Sequence, residues 1–496
     1  MVQGTASSVG KSLLVTGFCR YFRQKGLRVA PFKSLNMALN AHVTADGFEI
    51  ARAQAVQAEA CGIEPLVEMN PVLLKPEGNA RSQVILMGKS QGVRSARELF
   101  ASGIDVKGAV LDALATMRSK FDLIVIEGAG SPAEINLRAR DVANMFIARA
   151  ADAPVILAGD IDRGGVLAAI VGTMQLLEPE DRARVAALLI NKFRGDLSLL
   201  TPGLDWLSEQ TGKPVMGVLP HLGRLCIAEE DSLNVDARLT AAALDSSKLN
   251  IVVLRLPRIS NHDEFQPFEH EPDVQLSFTE DVELALSADL LFVPGTKSTV
   301  ADLAWLRERG LDHVIQLRAR LKRPVFGVCG GCQMLGQRID DPLAVESTCP
   351  STEALGVLPL TTEFRPEKRT LRLHARPRGQ GFLFHGLDAA LAVPGYYIHA
   401  GITSSQGAAL FEVEREGRTQ LDGVCDATGY VMGSMVHGLF EHDGLRHAVI
   451  DRLRHARGLS AQSERASWDR EADYDRLAAA IGEHCDTQLL DRLALG

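Results

Sequence analysis

Pro324-Val325-Phe326-Gly327-Val328-Cys329-Gly330-Gly331-Cys332-Gln333 decides how this chain is read. Val325–Val328 is a short apolar run of the kind that forms a strand buried on both faces of a parallel sheet. Glycines on either side of Cys329 permit a tight turn from that strand into a helix, which presents the thiol at the strand's carboxyl end. A helix N-terminus behind the sulfur lowers the thiol pKa and favours thiolate. An α/β domain with a cysteine nucleophile at the carboxyl edge of its sheet is the first expectation.

Two neighbouring strand ends supply what such a nucleophile needs. Leu290–Val293 runs into Pro294-Gly295-Thr296-Lys297-Ser298-Thr299, so the amides of Gly295 and Gly330 are candidates for binding an oxyanion formed at Cys329. Val431–Val436 leads into His437, the candidate general base. A lone histidine at a strand end is more often structural, and it is the cysteine elbow that raises its standing. Cys329 and Cys332 also form a Cys-x-x-Cys, which suits a redox pair or half of a zinc site. A zinc site wants a second ligand pair, and neither Cys349 nor Cys425 has a close Cys or His companion. The pattern Gly-x-Cys-x-Gly-x-Gln resembles the nucleophile elbow of class I glutamine amidotransferases. Many of these carry Glu two residues after the histidine, where this chain has Leu439. Either a Cys–His dyad suffices or another acid, such as Glu441, orients the ring.

The other end of the chain carries a phosphate loop. Gly4-Thr5-Ala6-Ser7-Ser8-Val9-Gly10-Lys11-Ser12 opens a helix near Lys11, and its backbone amides can wrap phosphate oxygens at the helix N-terminus. Gly4, Thr5, Gly10, Lys11 and Ser12 are the candidate ATP-binding residues, with Lys11 on the outer phosphates and Ser12 on Mg²⁺. The spacer between the glycines is five residues, a longer form that resembles dethiobiotin synthetase and its relatives. Glu127, after the strand Leu123–Ile126, and Asp160, after the strand Val155–Ala158, are candidate Mg²⁺ ligands at strand carboxyl ends. Each acid taken alone reads equally well as a helix N-cap. Asn191, at the end of the strand Val185–Ile190, is a weaker candidate for facing adenine. Only Met1–Gln3 precede the loop, and strands usually run about 5–6 residues, so a few residues upstream of Met1 are expected.

The 496 residues exceed one ordinary core. Alternating apolar runs and amphipathic stretches point to βαβ units in both halves. The expected organisation is a P-loop synthetase domain over 1–235, a linker over 236–249, a glutaminase domain over 250–445 and a helical extension over 446–496, the last read as one or two surface helices. A formal charge of −9 argues against a nucleic-acid surface. No apolar run approaches the ~20 residues of a membrane span, and eight scattered cysteines form no disulfide framework, so a reducing cytoplasm is expected.

Longer stretches narrow the choice. Asn36–Asn40, Met69–Pro76, Glu127–Leu137, Gly159–Gly165, Asn191–Asp196 and Arg255–Asn261 all resemble the cobyric acid synthases, a family of glutamine-hydrolysing cobyrinic acid amidases, over about residues 1–445. Tyr397 stands where that family would have Glu, and Leu35 where it would have Gln. The resemblance implies ATP- and glutamine-dependent amidation of the b, d, e and g carboxylates of adenosylcobyrinic a,c-diamide, a corrinoid, to give adenosylcobyric acid. Another amidase of this architecture, such as an a,c-diamide synthase, is the alternative. A P-loop partitioning ATPase with a degenerate cysteine domain is the reading from a different class.

Overall fold

The computed structural model describes residues 1–78, 80–223, 225–227, 244–415, 418–460 and 464–496. The chain divides into two compact units, one of Met1–Ala38, Ile50–Glu230 and Asp469–Gly496, the other of Leu39–Glu49 and Asp231–Trp468.

In the first unit the strands Val2–Gly4, Val155–Asp160, Val185–Phe193 and Val215–Pro220 lie side by side and parallel, in that order. Val29–Phe32 pairs with Leu123–Ile126, and a bridge from Val2 to Glu127 joins this pair to the edge of the larger sheet. Most of their Val, Ile and Leu side chains are buried, as a parallel sheet covered on both faces requires, while Leu123, Ile124 and Val215 are half-buried. The helix Lys11–Gln24 follows the first strand, with Gly10 at φ 93° as its N-cap. It buries Leu14, Val15, Phe18 and Phe22.

The C-terminal segment departs from expectation. The sequence predicts an extension of one or two surface helices over 446–496. The helix Asp443–Ala456 stays with the second unit, whereas Arg470–His484 and Thr487–Leu495 belong to the first. The arginines and acids conceal a stripe of Tyr474, Leu477, Ala478 and Ile481 at helical spacing, all buried. This stripe packs on the phosphate-loop helix so closely that a Cβ on Gly17 would lie 2.6 Å from Ile481 Cδ1. Arg20 adds ion pairs to Glu471 at 2.8 Å and Asp475 at 2.6 Å.

The second unit is built on the order Val274–Thr279, Leu249–Leu254, Leu290–Val293, Val325–Val328, Val431–Ser434, all parallel, with Val424–Cys425 antiparallel at the edge. Leu249, the last residue of the expected linker, already belongs to a strand because it is fully buried and paired with Val274. Residues 236–243 of that linker lie outside the described residues. The strand before His437 stops at Ser434, two residues short of the expected Val436. A second, largely antiparallel sheet centres on Leu360–Pro377 and Val393–Ser405.

Candidate active sites

The phosphate loop is braced from three sides. Gly4 admits no side chain, since a Cβ there would meet Val9 Cγ2 at 2.4 Å. Asn191 Nδ2 donates to the Val9 carbonyl at 2.9 Å, and Lys192 Nζ to the Ser8 carbonyl at 2.7 Å. One of the two Asn191 amide hydrogens is thus used on the loop. Thr5 donates its backbone N–H to the Ala158 carbonyl at 3.0 Å. Lys11 is buried and curls over the loop, donating to the Ala6 and Gly130 carbonyls at 3.0 and 3.1 Å.

Ser12 Oγ donates to Glu127 Oε1 at 2.8 Å. Two residues outside the motif complete this corner: Lys33 Nζ reaches Glu127 Oε1 at 2.8 Å and Gln57 Nε2 reaches Oε2 at 2.5 Å. Glu127 has no solvent exposure. Asp160 is engaged differently, pairing with Lys192 at 2.8 Å and accepting the Asp162 amide at 2.9 Å. The structure therefore brings Ser12 and Glu127 together and ties Asp160 to the lysine that supports the loop.

At the cysteine site, Cys329 adopts φ 49°, ψ −110°, a sparsely populated conformation for a residue with a side chain and one that turns the strand abruptly into the helix Gly330–Leu335. The glycines around it are sterically required. A Cβ on Gly331 would lie 1.9 Å from the Val293 carbonyl oxygen, and one on Gly330 would lie 3.2 Å from the Thr296 amide nitrogen. The Gly295 position comes within 3.1 Å of His437 Cε1 by the same measure, so both oxyanion candidates border the Cys–His pair.

His437 is hydrogen-bonded to Cys329, and its Nδ1 lies 3.0 Å from Glu264 Oε1, leaving Nε2 for the sulfur. The second oxygen of Glu264 accepts the Gly438 amide at 3.1 Å. Tyr396 stacks on the imidazole with centroids 5.3 Å apart. Burial pulls the imidazole pKa down, but the charges of Glu264 and Cys329 and their hydrogen bonds outweigh it and raise it to about 10. Cys329, His437 and Glu264 thus form a hydrogen-bonded chain of thiol, imidazole and carboxylate.

Residues 1–235 match the family model described as the CobQ/CobB/MinD/ParA nucleotide binding domain, and residues 250–445 the CobB/CobQ-like glutamine amidotransferase domain. A cobyric acid synthase of Sorangium cellulosum (strain So ce56) is 53% identical, over 99% of this chain and 98% of its own. One of Pelotomaculum thermopropionicum is 48% identical over 98% and 95%, and one of Dehalococcoides mccartyi (strain CBDB1) 46% over 98% and 97%. The chain belongs to the cobyric acid synthase family.

Like the family, it is a glutamine-dependent amide-forming ligase of cobalamin biosynthesis with a nucleotide-binding α/β domain followed by a class I glutaminase domain. No helix among the described residues is long and apolar enough to cross a membrane. The position where a cobyric acid synthase was expected to carry Glu holds Tyr397, whose hydroxyl donates to buried Asp422 at 2.8 Å. Asp422 also accepts from Ser434 Oγ and the Met435 amide, so the phenol helps anchor the chain that leads to His437. Cys332 is buried against Gly433, where a Cβ would lie 2.6 Å from its sulfur. Burial, then the charges of Asp422 and Cys329, push its thiol well above the ordinary range.

Glu264 and Lys33 escape a motif reading. Glu264 lies 173 positions before His437. It reaches the ring because Phe265 and Phe268, on the same turn, pack on Phe292 and Phe440 with centroids 4.9–5.8 Å apart. Glu441, the acid considered from local spacing, is not the one at the imidazole. Lys33 follows the strand Val29–Phe32 directly, and that placement at a strand's carboxyl end was its available signal.

Glu264→Gln should lower glutamine-dependent turnover about 10²-fold. Glu264 raises the imidazole pKa, so its loss should move the alkaline limb of the glutaminase profile to lower pH. Glutamate release measured across the alkaline range checks this, and an unmoved limb would mean Glu264 does not act through the ring.

Proposed function

We propose that the enzyme amidates the b, d, e and g carboxylates of adenosylcobyrinic a,c-diamide, consuming ATP and glutamine in the cytoplasm and giving adenosylcobyric acid. The observation that carries this is one full-length match to cobyric acid synthases in a chain holding both a Ser12–Glu127 phosphate loop and a Cys329–His437–Glu264 site.

A carboxylate is a poor electrophile, so ATP first converts it to an acyl phosphate. With the Thr5 N–H taken by the Ala158 carbonyl, the loop amides beyond it, up to Ser12, hold the phosphates, and Lys11 leaves its carbonyl partners to offset charge on the transferring group. Ser12 Oγ and Glu127 Oε1 fit Mg²⁺: their 2.8 Å separation is close to the edge of an octahedron of ligands about 2.0–2.1 Å from the ion. Mg²⁺ held there would neutralise phosphate charge, while Asp160 is tied to Lys192.

At the second site the Cys329 thiolate attacks the glutamine amide carbon. The amides of Gly295 and Gly330 receive the oxyanion, and His437 hands its proton to the departing ammonia. Water, deprotonated by the now neutral His437, hydrolyses the thioester to glutamate. The ammonia then displaces phosphate from the acyl phosphate, forming the amide. Glu264 keeps the imidazole oriented throughout.

ATP-dependent glutamate release is the test. It should require adenosylcobyrinic a,c-diamide, with four amide bonds formed per corrinoid. Release supported by cobyrinic acid, and not by its a,c-diamide, would favour the a,c-diamide synthase alternative.

A further inference from the structure

The loop Asp341–Ser347 follows the strand Arg338–Asp340, just after the helix that carries Gln333, and its backbone is fixed from within. Asp341, 2% exposed, accepts the amides of Val345 at 2.7 Å, Glu346 at 2.9 Å and Ser347 at 2.7 Å. This holds the partly buried Glu346 in place. Its Oε1 accepts the Val300 amide at 3.0 Å, and its Oε2 lies 3.3 Å from Thr299 Oγ1. Thr299 Oγ1 is also 3.4 Å from Gln333 Oε1.

Glu346 Oε2, Thr299 Oγ1 and Gln333 Oε1 thus share a single hydroxyl hydrogen, which can satisfy one acceptor at a time. Gln333 is 2% exposed, and its Nε2 is buried without a hydrogen-bond partner. The cluster borders the nucleophile: a Cβ on Gly330, next to Cys329, would lie 3.3 Å from Thr299 Oγ1. Burial pushes the Glu346 carboxyl up to about 7, with the Val300 amide and the charge of Lys297 opposing it. A buried carboxylate in an acceptor-rich corner is stabilised by a cation that brings several N–H donors.

We propose that Glu346, with the oxygens of Thr299 and Gln333, receives the α-ammonium group of glutamine and makes the glutaminase selective for α-amino acid amides. The proposal rests on the reading of Cys329 as the glutaminase nucleophile. In it, Asp341 is a positioning residue that fixes the loop, while Gln333 Nε2 remains a donor for the α-carboxylate. A Glu346 that merely capped the helix Thr299–Glu308 would show no preference for the ammonium.

The probe is 4-carbamoylbutanoate, which is glutamine without its α-amino group. Wild-type enzyme, with ATP and corrinoid present, should show a kcat/KM for glutamine about 10²-fold above that for the probe. Glu346→Gln should bring the two within about tenfold of each other, through loss on glutamine alone. A wild type that does not discriminate, or a Glu346→Gln enzyme that loses equally on both amides, overturns the proposal. If Glu346→Gln does not fold, Glu346→Asp takes its place: the KM for glutamine should rise while that for the probe holds, and equal changes overturn the proposal. Cys329→Ser, run alongside, must release no glutamate from glutamine. Release there would mean that the nucleophile reading itself has failed, a result separate from any change in the preference ratio.

Discussion

Replacing Cys329 with Ser should reduce glutamine-fed synthesis on the order of 10⁴-fold or more, while synthesis fed by high ammonium continues. The hydroxyl of serine is far less acidic and less nucleophilic than a thiol, and His437 is hydrogen-bonded to the sulfur it would lose. Free ammonia bypasses the thioester, so nothing downstream is touched. The measurement is amide product formed from each nitrogen source by the same preparation. Equal loss from both sources in a folded protein would show that the two chemistries are not separate.

Lys11→Ala should remove synthesis from either nitrogen source, by about 10²–10³-fold. Acyl phosphate formation precedes both routes, and Lys11 is the loop's own charge over the phosphate position. Lys33 cannot replace it, because it is committed to Glu127 at 2.8 Å. Ammonium-driven synthesis at near the wild-type rate would sink the phosphate-loop reading. Together the two substitutions should give opposite patterns with ammonium, which distinguishes them from general damage to the fold.

Both the cysteine elbow and the glycine loop were legible because each is a local device. Val325–Val328 and Leu123–Ile126 are uninterrupted apolar runs, and the structure gives them the same bounds. The residues that turn Val325–Val328 and Val2–Gly4 into their helices must be glycines or special conformers, and they stand beside the strands in the chain. Glu264 is different in kind. No spacing relates it to His437; an aromatic cluster assembled from four separate segments does. Leu360–Pro377 escaped because the charges of Arg365–Arg369 interrupt the alternation that identifies a half-buried strand, and Val393–Ser405 because Pro394 and Gly395 break its start. The meander of Val72–Gly78, Arg81–Leu86 and Lys89–Ser95 was passed over for the same reason, its polar face being open to solvent. The acid and arginine content of Arg470–His484 suggested a solvated helix, and only packing reveals that Tyr474 and Ile481 are core.

That last helix imposes an order on biosynthesis. The helix Lys11–Gln24 leaves the ribosome early, but the partner that covers Gly17 and pairs with Arg20 emerges more than 440 residues later. At about 5–20 residues per second, the nascent phosphate-loop unit must wait roughly 20–90 s with Phe18 and Phe22 incompletely covered. Asp231–Trp468, by contrast, is a contiguous stretch that is fully made before that wait ends. The unit translated first is therefore the last to close, and during that interval it is the natural client for a chaperone that shields apolar surface.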